Sequence, residues 1–338
     1  MDMSMESTSQ KTSSRSAVSK DMELQMSAVW LHVGQCGNQI GQEWWRIITE
    51  GAGHSCEADR YPFLSRDGKL GAVCVDSEPK VLRKAQKLVK HGCFRESNLI
   101  VGQEGRGSNW AYGYYGPPNE GDRGLLQRTM ESFRKETERR DCYSGTVLFH
   151  SLSGGTGAGP QEVHLYPVGH ILSVSVAPHQ AGESPLQHYN TLLCLAALQR
   201  ETEDFASLTS LLLQHYSSAV LAVARGDQSN SFLSSLDPVL RRLRHGHRCA
   251  AWNPFPIDYW TDPQDVVSPS PSSRSFTVCS NHSSVTDLLQ RVGERAHDMF
   301  QARAYLHWYH RYGCEDQDFL QAFDTLRTVT EEYRAGEE

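Results

Sequence analysis

The segment Ser153–Gly159, which reads SGGTGAG, most tightly limits what this chain can fold into. It follows the β-rich apolar run Thr146–Leu152 and holds four glycines and one threonine. A strand that breaks into bare backbone makes a loop whose amides can close on an anion, which is how proteins hold phosphates. The loop is not of the Walker type, because no Gly-Lys-Ser/Thr follows it, and it lacks the Gly-x-Gly-x-x-Gly spacing of a dinucleotide fold. Taken alone, such a cluster is more commonly a tight turn.

A second element shifts that balance. Ala28–Val33 reads as a strand, runs into Gly34-Gln-Cys-Gly-Asn-Gln-Ile-Gly41, and continues into the helical-looking stretch Gln42–Ile48. Strand, glycine turn and helix N-terminus in that order place free amides and the positive end of a helix beside a bound phosphate. Between the two loops the chain alternates strand-like and helix-like segments, the pattern of an α/β layer fold.

The strings GQCGNQIG at 34–41 and SGGTGAG at 153–159 together resemble the signature pair of the tubulin superfamily. Three further stretches, Met26–Gly37, Met130–Arg139 and Ala302–His310, resemble its delta-tubulin branch. The resemblance implies an α/β fold with a tubulin-like, GTPase-type, Rossmann-like nucleotide-binding domain and C-terminal helices. In this reading residues 1–25 are a disordered tail, 26–203 the nucleotide-binding domain, 204–220 a core helix, 221–275 a truncated intermediate region and 276–338 a C-terminal helical region.

Composition agrees with a globular chain. It has 338 residues, 38% of them hydrophobic, and a formal charge of -7. That charge disfavours a nucleic-acid partner, and no apolar run approaches the length of a membrane span. The first 25 residues carry almost no aliphatic side chains and lack the apolar core of a secretory signal. They read as an inert tail, with a regulatory role for the serines as the alternative. Nine cysteines without a C-x-x-C pair suit reduced cytosolic thiols better than a disulfide frame or a zinc site. His245 and His247 lie in a basic run that reads as solvated surface, and His307 and His310 read as packing residues.

The resemblance assigns roles residue by residue. Gly34, Gln35, Cys36 and Asn38 fall in the first nucleotide loop, and Ser153, Gly154, Gly155, Thr156 and Gly157 in the glycine-rich phosphate loop. Asp76 and Glu78, after the short strand Gly71–Val75, inherit the magnesium side. A hydrated magnesium takes only one or two protein carboxylates, while helix capping by Asp76 or Ser77 is the alternative reading. Ser108 and Asn109 match the loop that approaches the terminal phosphate, although a packed surface turn is the commoner reading of a loop so rich in glycine and aromatics. Asn190 falls in the ribose-side turn and Phe205 under the base. The implied cofactors are GTP or GDP with Mg2+.

The departures from the family bear on function. Thr209 stands where an asparagine recognises guanine, and a hydroxyl cannot supply the paired donor and acceptor of an amide. Glu201–Asp204 enters the core helix without the strand and helix that carry the other guanine-binding asparagine. Pro160–Leu165 leaves room for about two helical turns, and the intermediate region is shorter by roughly a hundred residues, the size of a small domain. No acidic string of the kind that activates a neighbour's nucleotide follows Thr209; Asp237, in a proline turn, is the nearest candidate. Val285–Tyr312 is amphipathic, Gly313 reads as a C-cap, and Asp316–Arg334 as a second helix. In tubulins this pair meets partners, which places His307, Trp308 and Phe319 on the expected contact face.

Three functions remain. The first is a GTP-binding structural subunit of centrioles and basal bodies, with at most weak intrinsic GTPase activity, acting in microtubule organisation and cilium formation alongside other tubulins or centriolar and ciliary proteins. The second is a tubulin-derived interaction protein with degraded nucleotide binding. The third, a phosphohydrolase, is disfavoured by Thr209 and the lost segments. A spliced transcript or a faulty gene model would produce the same gaps.

Overall fold

The computed structural model describes residues 26–51, 63–65, 67–90, 93–116, 123–140, 142–158, 170–178, 182, 184–200, 216–226, 236, 238–243, 246, 249, 253–262 and 275–335. Phe205, Thr209, the stretch 160–169, Asp237 and the N-terminal 25 residues lie outside the described residues.

Five strands build the main sheet: β1 (Met26–Val33), β2 (Ala72–Asp76), β3 (Leu99–Val101), β4 (Cys142–Ser151) and β5 (His170–Val176). They run parallel in the order β3-β2-β1-β4-β5. Side chains alternate across the sheet as the two-residue period requires. Val29, Leu31, Val33, Val73 and Val75 join Leu125 and Phe133 on one face. Trp30, Ala72 and Cys74 join Trp44, Trp45, Leu82 and Phe94 on the other. Helices α1 (Gly34–Gly51) and α2 (Pro79–Lys90) cover the second face, and α4 (Arg123–Glu138) the first; the short α3 (Trp110–Tyr115) precedes α4. Both faces of a parallel sheet must be covered, which is why its strands read as nearly continuous apolar runs.

The strand order fixes where a ligand can sit. From β1 the chain winds outward through β2 and β3, then returns to place β4 on the opposite side of β1. That reversal opens a crevice beyond the carboxyl ends of β1 and β4, the place where open α/β sheets bind ligands. The two glycine loops follow those two strands directly.

Helix α5 (Gln187–Gln199) is buried almost all round. It packs with α6 (Val285–Gln301), α7 (Leu306–His310) and α8 (Asp316–Ala335) in one core that includes Leu192, Leu195, Leu289, Leu306, Tyr309, Phe319 and Leu326. Two expectations are corrected here. The amphipathic stretch Val285–Tyr312 is not one helix: α6 stops at Gln301, and Arg303 and Tyr305 take left-handed φ values of 55° and 60°. Ala304 N donates to Met299 O and Arg303 N to Phe300 O, the paired bonds of a Schellman ending. The resulting turn swings Leu306 and Tyr309 into the core. Phe319, expected on the contact face, is fully buried because α8 packs its apolar stripe against α5. Gly313, at φ 91°, does close α7.

A second, three-stranded sheet holds β6 (Ser217–Arg225) between parallel β7 (Ile257–Asp262) and antiparallel β8 (Ser275–His282). Ser217–Val220, within the span read as core helix, therefore belong to a strand. Residues 221–225 of the span read as intermediate region pair with β8, which runs on to His282.

One buried charge ties the sheet edge together. Glu136 on α4 is wholly buried and accepts from Arg95 Nη1 at 2.8 Å to each oxygen, Asn98 Nδ2 at 2.9 Å and Ser65 Oγ at 3.1 Å. Asn98 Nδ2 in turn reaches Ala72 O at 2.9 Å. Removing one member of such a cluster leaves its partners charged and buried. Glu136→Ala is expected to lower the urea unfolding free energy by about 3–5 kcal/mol, whereas Glu131→Ala, at an exposed pair on the same helix, should leave it nearly unchanged.

Candidate functional site

The two glycine loops meet in the crevice. Gly34, at φ 71°, ends β1 in a conformation that favours glycine, and a Cβ there would lie 3.0 Å from Gly157 N. Gly37 sits so close to β4 that a Cβ would fall 2.0 Å from the Phe149 carbonyl oxygen. The first turn of α1 is thus pressed onto the strand that carries the second loop. Asn38, fully buried, latches this turn to the next strand: its Nδ2 donates to Gly34 O and Val75 O, both at 2.8 Å. Gln35 is exposed at the loop, and the half-buried Cys36 thiol is held above its ordinary pKa by burial.

The glycine loop is gripped from both sides. Thr156 Oγ1 lies 2.6 Å from Ser77 Oγ, which comes from the turn after β2. Gly157 O accepts from His150 Nδ1 at 2.9 Å. A carbonyl can only accept, so that nitrogen carries a proton, while His150 Nε2 lies 2.9 and 2.7 Å from the hydroxyls of Ser173 and Ser175, which can accept or donate. Gly155 faces loop 105–109, where a Cβ would lie 2.9 Å from Asn109 N, and Gly113 of α3 faces the Gly155 carbonyl, where a Cβ would lie 2.1 Å away. At Gly154 a Cβ would meet nothing within 4 Å. The loop is therefore packed behind Gly155 and open in front of Gly154.

Asn190 joins all these pieces. Its side chain is wholly buried, and every hydrogen-bonding position is filled. Oδ1 accepts from Trp110 N at 2.9 Å and Tyr309 Oη at 2.7 Å. Nδ2 donates to Ser108 O at 2.6 Å and Ser153 O at 2.9 Å. Asn190 thus holds the loops in place, with no donor or acceptor left to offer a ribose. Asn109 has three of its four positions filled. Its Oδ1 caps α3 through Ala111 N and Tyr112 N, and its Nδ2 donates to Trp308 O at 2.9 Å. Ser108 beside it is exposed, at φ 51°.

Asp76 and Glu78 lie at the mouth of the crevice. Asp76 Oδ1 accepts from Glu78 N, the residue that enters α2, at 3.3 Å, while Ser77 turns to Thr156 and does not cap the helix. The Glu78 carboxylate lies against Gly105, where a Cβ would be 2.4 Å from Oε1. Burial pushes Asp76 up to about 6, with the Glu78 charge adding to it. Among the described residues no group of three or more His, Cys, Asp or Glu could hold a metal ion by itself. Two carboxylates suit a hydrated divalent cation that takes its other ligands from water and phosphate. His150 and Tyr309 were not singled out in the sequence, and Ser77 was read there as a helix cap and not as a partner of Thr156; only His150, next to Ser151 and ahead of Ser153, left a local signal.

A parallel sheet whose switch point carries two glycine loops points to a particular group of proteins, and comparison decides it. The GTPase domain of the Tubulin/FtsZ family matches residues 27–207. The chain belongs to that family. It is also similar to the tubulin beta chain of Schizophyllum commune, the nucleomorph tubulin beta chain of Guillardia theta and the tubulin beta-1 chain of Suillus bovinus. Each is 24% identical, over 90% of this chain and 94–95% of the relative. The alignments run over 425 residues against a chain of 338, so each relative carries long stretches that face gaps. Among the described residues no helix of this tubulin-family chain is long and apolar enough to cross a membrane.

Two outcomes follow from the packing and the buried carboxylate. Gly37→Ala and Gly113→Ala force a Cβ into backbone and should each destabilise the chain by about 1–3 kcal/mol in urea unfolding, whereas Gly154→Ala should stay within about 0.5 kcal/mol of the parent. Asp76 holds its proton more tightly when folded, so its contribution to stability is complete below pH ~4 and is lost as pH rises through about 6. Asp76→Asn should therefore be more stable than the parent at pH 7 in the absence of ligand. The difference should vanish toward pH 4, as thermal melts across that range would read.

Proposed function

We propose that this chain is a magnesium-dependent, GTP-binding tubulin of the delta type that caps or decorates microtubule-based structures at centrioles and basal bodies rather than polymerising. The observation that carries the nucleotide part is the contact of Gly34 with Gly157, which sets the amides of two loops around the open space before Gly154. A cradle that a single Cβ would enter fits a phosphate chain. Gly34, Gln35 and Cys36 would face it from the start of α1, and Gly154 to Gly157 from the other side, while Asn38 and Asn190 hold the frame. Asp76 and Glu78 would hold the magnesium, whose charge offsets that of the terminal phosphates.

Support for the delta type comes from Met26–Gly37, Met130–Arg139 and Ala302–His310. The beta chains of fungi and of a nucleomorph are relatives at low identity. The gaps in their alignment, and the lack of an acidic string after Thr209, support a subunit without one of the two complementary faces that a filament requires. Partners would be other tubulins or centriolar and ciliary proteins, in the cytoplasm and at the centrosome and cilium base.

Titration with a fluorescent GTP analogue in magnesium is expected to show binding that weakens at least tenfold in EDTA and in Gly154→Ala. ATP should compete within about tenfold of GTP, since the phosphates dominate. No binding, or binding indifferent to Gly154, would overturn the reading. Sedimentation with GTP should yield no polymer and no phosphate release above the intrinsic rate. In ciliated cells the tagged chain should concentrate at centrioles and lose that position when the exposed Trp308 and Leu320 are both changed to alanine. Pelleted polymer, or a diffuse parent protein, would refute the corresponding part.

A further inference from the structure

Of all the groups that hold the crevice loops, the most distant in sequence come from α7. Tyr309 Oη donates to Asn190 Oδ1 at 2.7 Å, and the Trp308 carbonyl accepts from Asn109 Nδ2 at 2.9 Å. The Tyr112 and Tyr312 rings stack at 4.3 Å, nearly parallel, and add a third tie between α3 and this segment. Tyr309 is wholly buried, edge-on to Tyr189 and Phe319. It is brought there by the left-handed residues Arg303 and Tyr305, a conformation unfavourable for side chains that bear a Cβ and kept here by the surrounding structure.

The direction of these bonds matters. Trp110 N can only donate and the carbonyls of Ser108 and Ser153 can only accept, so the oxygen of the Asn190 amide must face Trp110, where the Tyr309 hydroxyl also donates to it, and its NH2 must face the two carbonyls. A flipped amide would oppose donor to donor at Trp110 N and acceptor to acceptor at the Ser108 and Ser153 carbonyls, while the Tyr309 hydroxyl can serve either orientation. The backbone groups thereby fix which way Asn190 points, Tyr309 Oη fills its remaining acceptor position and ties the amide to α7, and Asn190 bridges loop 105–109 and the glycine loop.

We propose that Tyr309 is a positioning residue for the phosphate loops, and that α7 and the phosphate-binding crevice are one linked unit. The proposal rests on the nucleotide reading above. Linkage makes the effect reciprocal: a group that braces the loops for phosphate is itself braced when phosphate binds. The loops on either side of Asn190 are those that flank the outer phosphates, so the effect falls on those phosphates more than on the nucleoside.

The experiment compares GTP and GMP affinities, by competition against a fluorescent GTP analogue, in the parent, Tyr309→Phe and Asn109→Ser. Serine keeps a side-chain cap on α3 but is too short to reach Trp308. Tyrosine to phenylalanine removes the hydroxyl, and with it the 2.7 Å bond to Asn190 and the longer 3.5 Å approach to Leu186 O. GTP affinity should fall about five- to tenfold and GMP affinity by less than twofold, so that the ratio of the two shrinks. GTP should also change the tryptophan emission of the parent; the part carried by Trp308, read as the difference between the parent and Trp308→Phe, which keeps the carbonyl, should be reduced in Asn109→Ser. Equal losses of GTP and GMP, or no loss in either variant, would overturn the positioning role while leaving nucleotide binding intact. Should Tyr309→Phe not fold, Asn109→Ser and the emission change decide by the same criteria. A parent that binds neither nucleotide would overturn the nucleotide reading itself.

Discussion

Everything in the crevice depends on the side-chain amide of Asn190. A buried amide has four hydrogen-bonding positions, and leaving one unfilled costs about 1–3 kcal/mol. Here each is filled by a different piece of chain: the start of α3, loop 105–109, the glycine loop and α7. None of these pieces is regular enough to place itself. Loop 105–109 has Gly107 and Ser108 at positive φ, and α7 is barely more than one turn long. One rigid helix, α5, buried on nearly all sides, supplies the fixed point from which they hang.

The architecture around that point explains why the loops face one another. The parallel sheet reverses its winding at β1, and the glycines at 34, 37, 155 and 157 let backbone approach backbone where side chains would collide. His150, Ser77 and Asn38 then hold loop atoms without projecting into the open space before Gly154. Asp76 remains a buried carboxylate that the fold alone does not favour at neutral pH. An arrangement that keeps an unfavourable charge at the mouth of a cradle is suited to a cation and an anion that arrive together.

Local pattern made much of this readable before the structure. The order strand, glycine turn, helix at 26–51 and the strand before Ser153 are each encoded within a few residues, so the α/β class and both loops followed from them. Gly313 was readable as a cap for the same reason. The break at 302–305 was not: the apolar spacing of 285–300 continues through Leu306 and Tyr309, and only the left-handed turn at Arg303 and Tyr305 interrupts it. The true duties of Asn109 and Asn190 were hidden too, since their partners range from Ser108 to Tyr309 and an asparagine in a glycine-rich loop looks like a ligand contact whether it holds a ligand or the loop. Phe319 shows the same limit from the other side, because exposure depends on a helix far away in sequence.

The account stands on two loops acting as one cradle, and hydrogen–deuterium exchange tests this most directly. Exchange should be followed by mass spectrometry for peptides spanning 34–41 and 151–158, with and without GTP and magnesium. Both peptides should slow together on adding the nucleotide, and both should return to the free rate when EDTA is added. Protection confined to one of them, or found only elsewhere in the chain, would contradict the account.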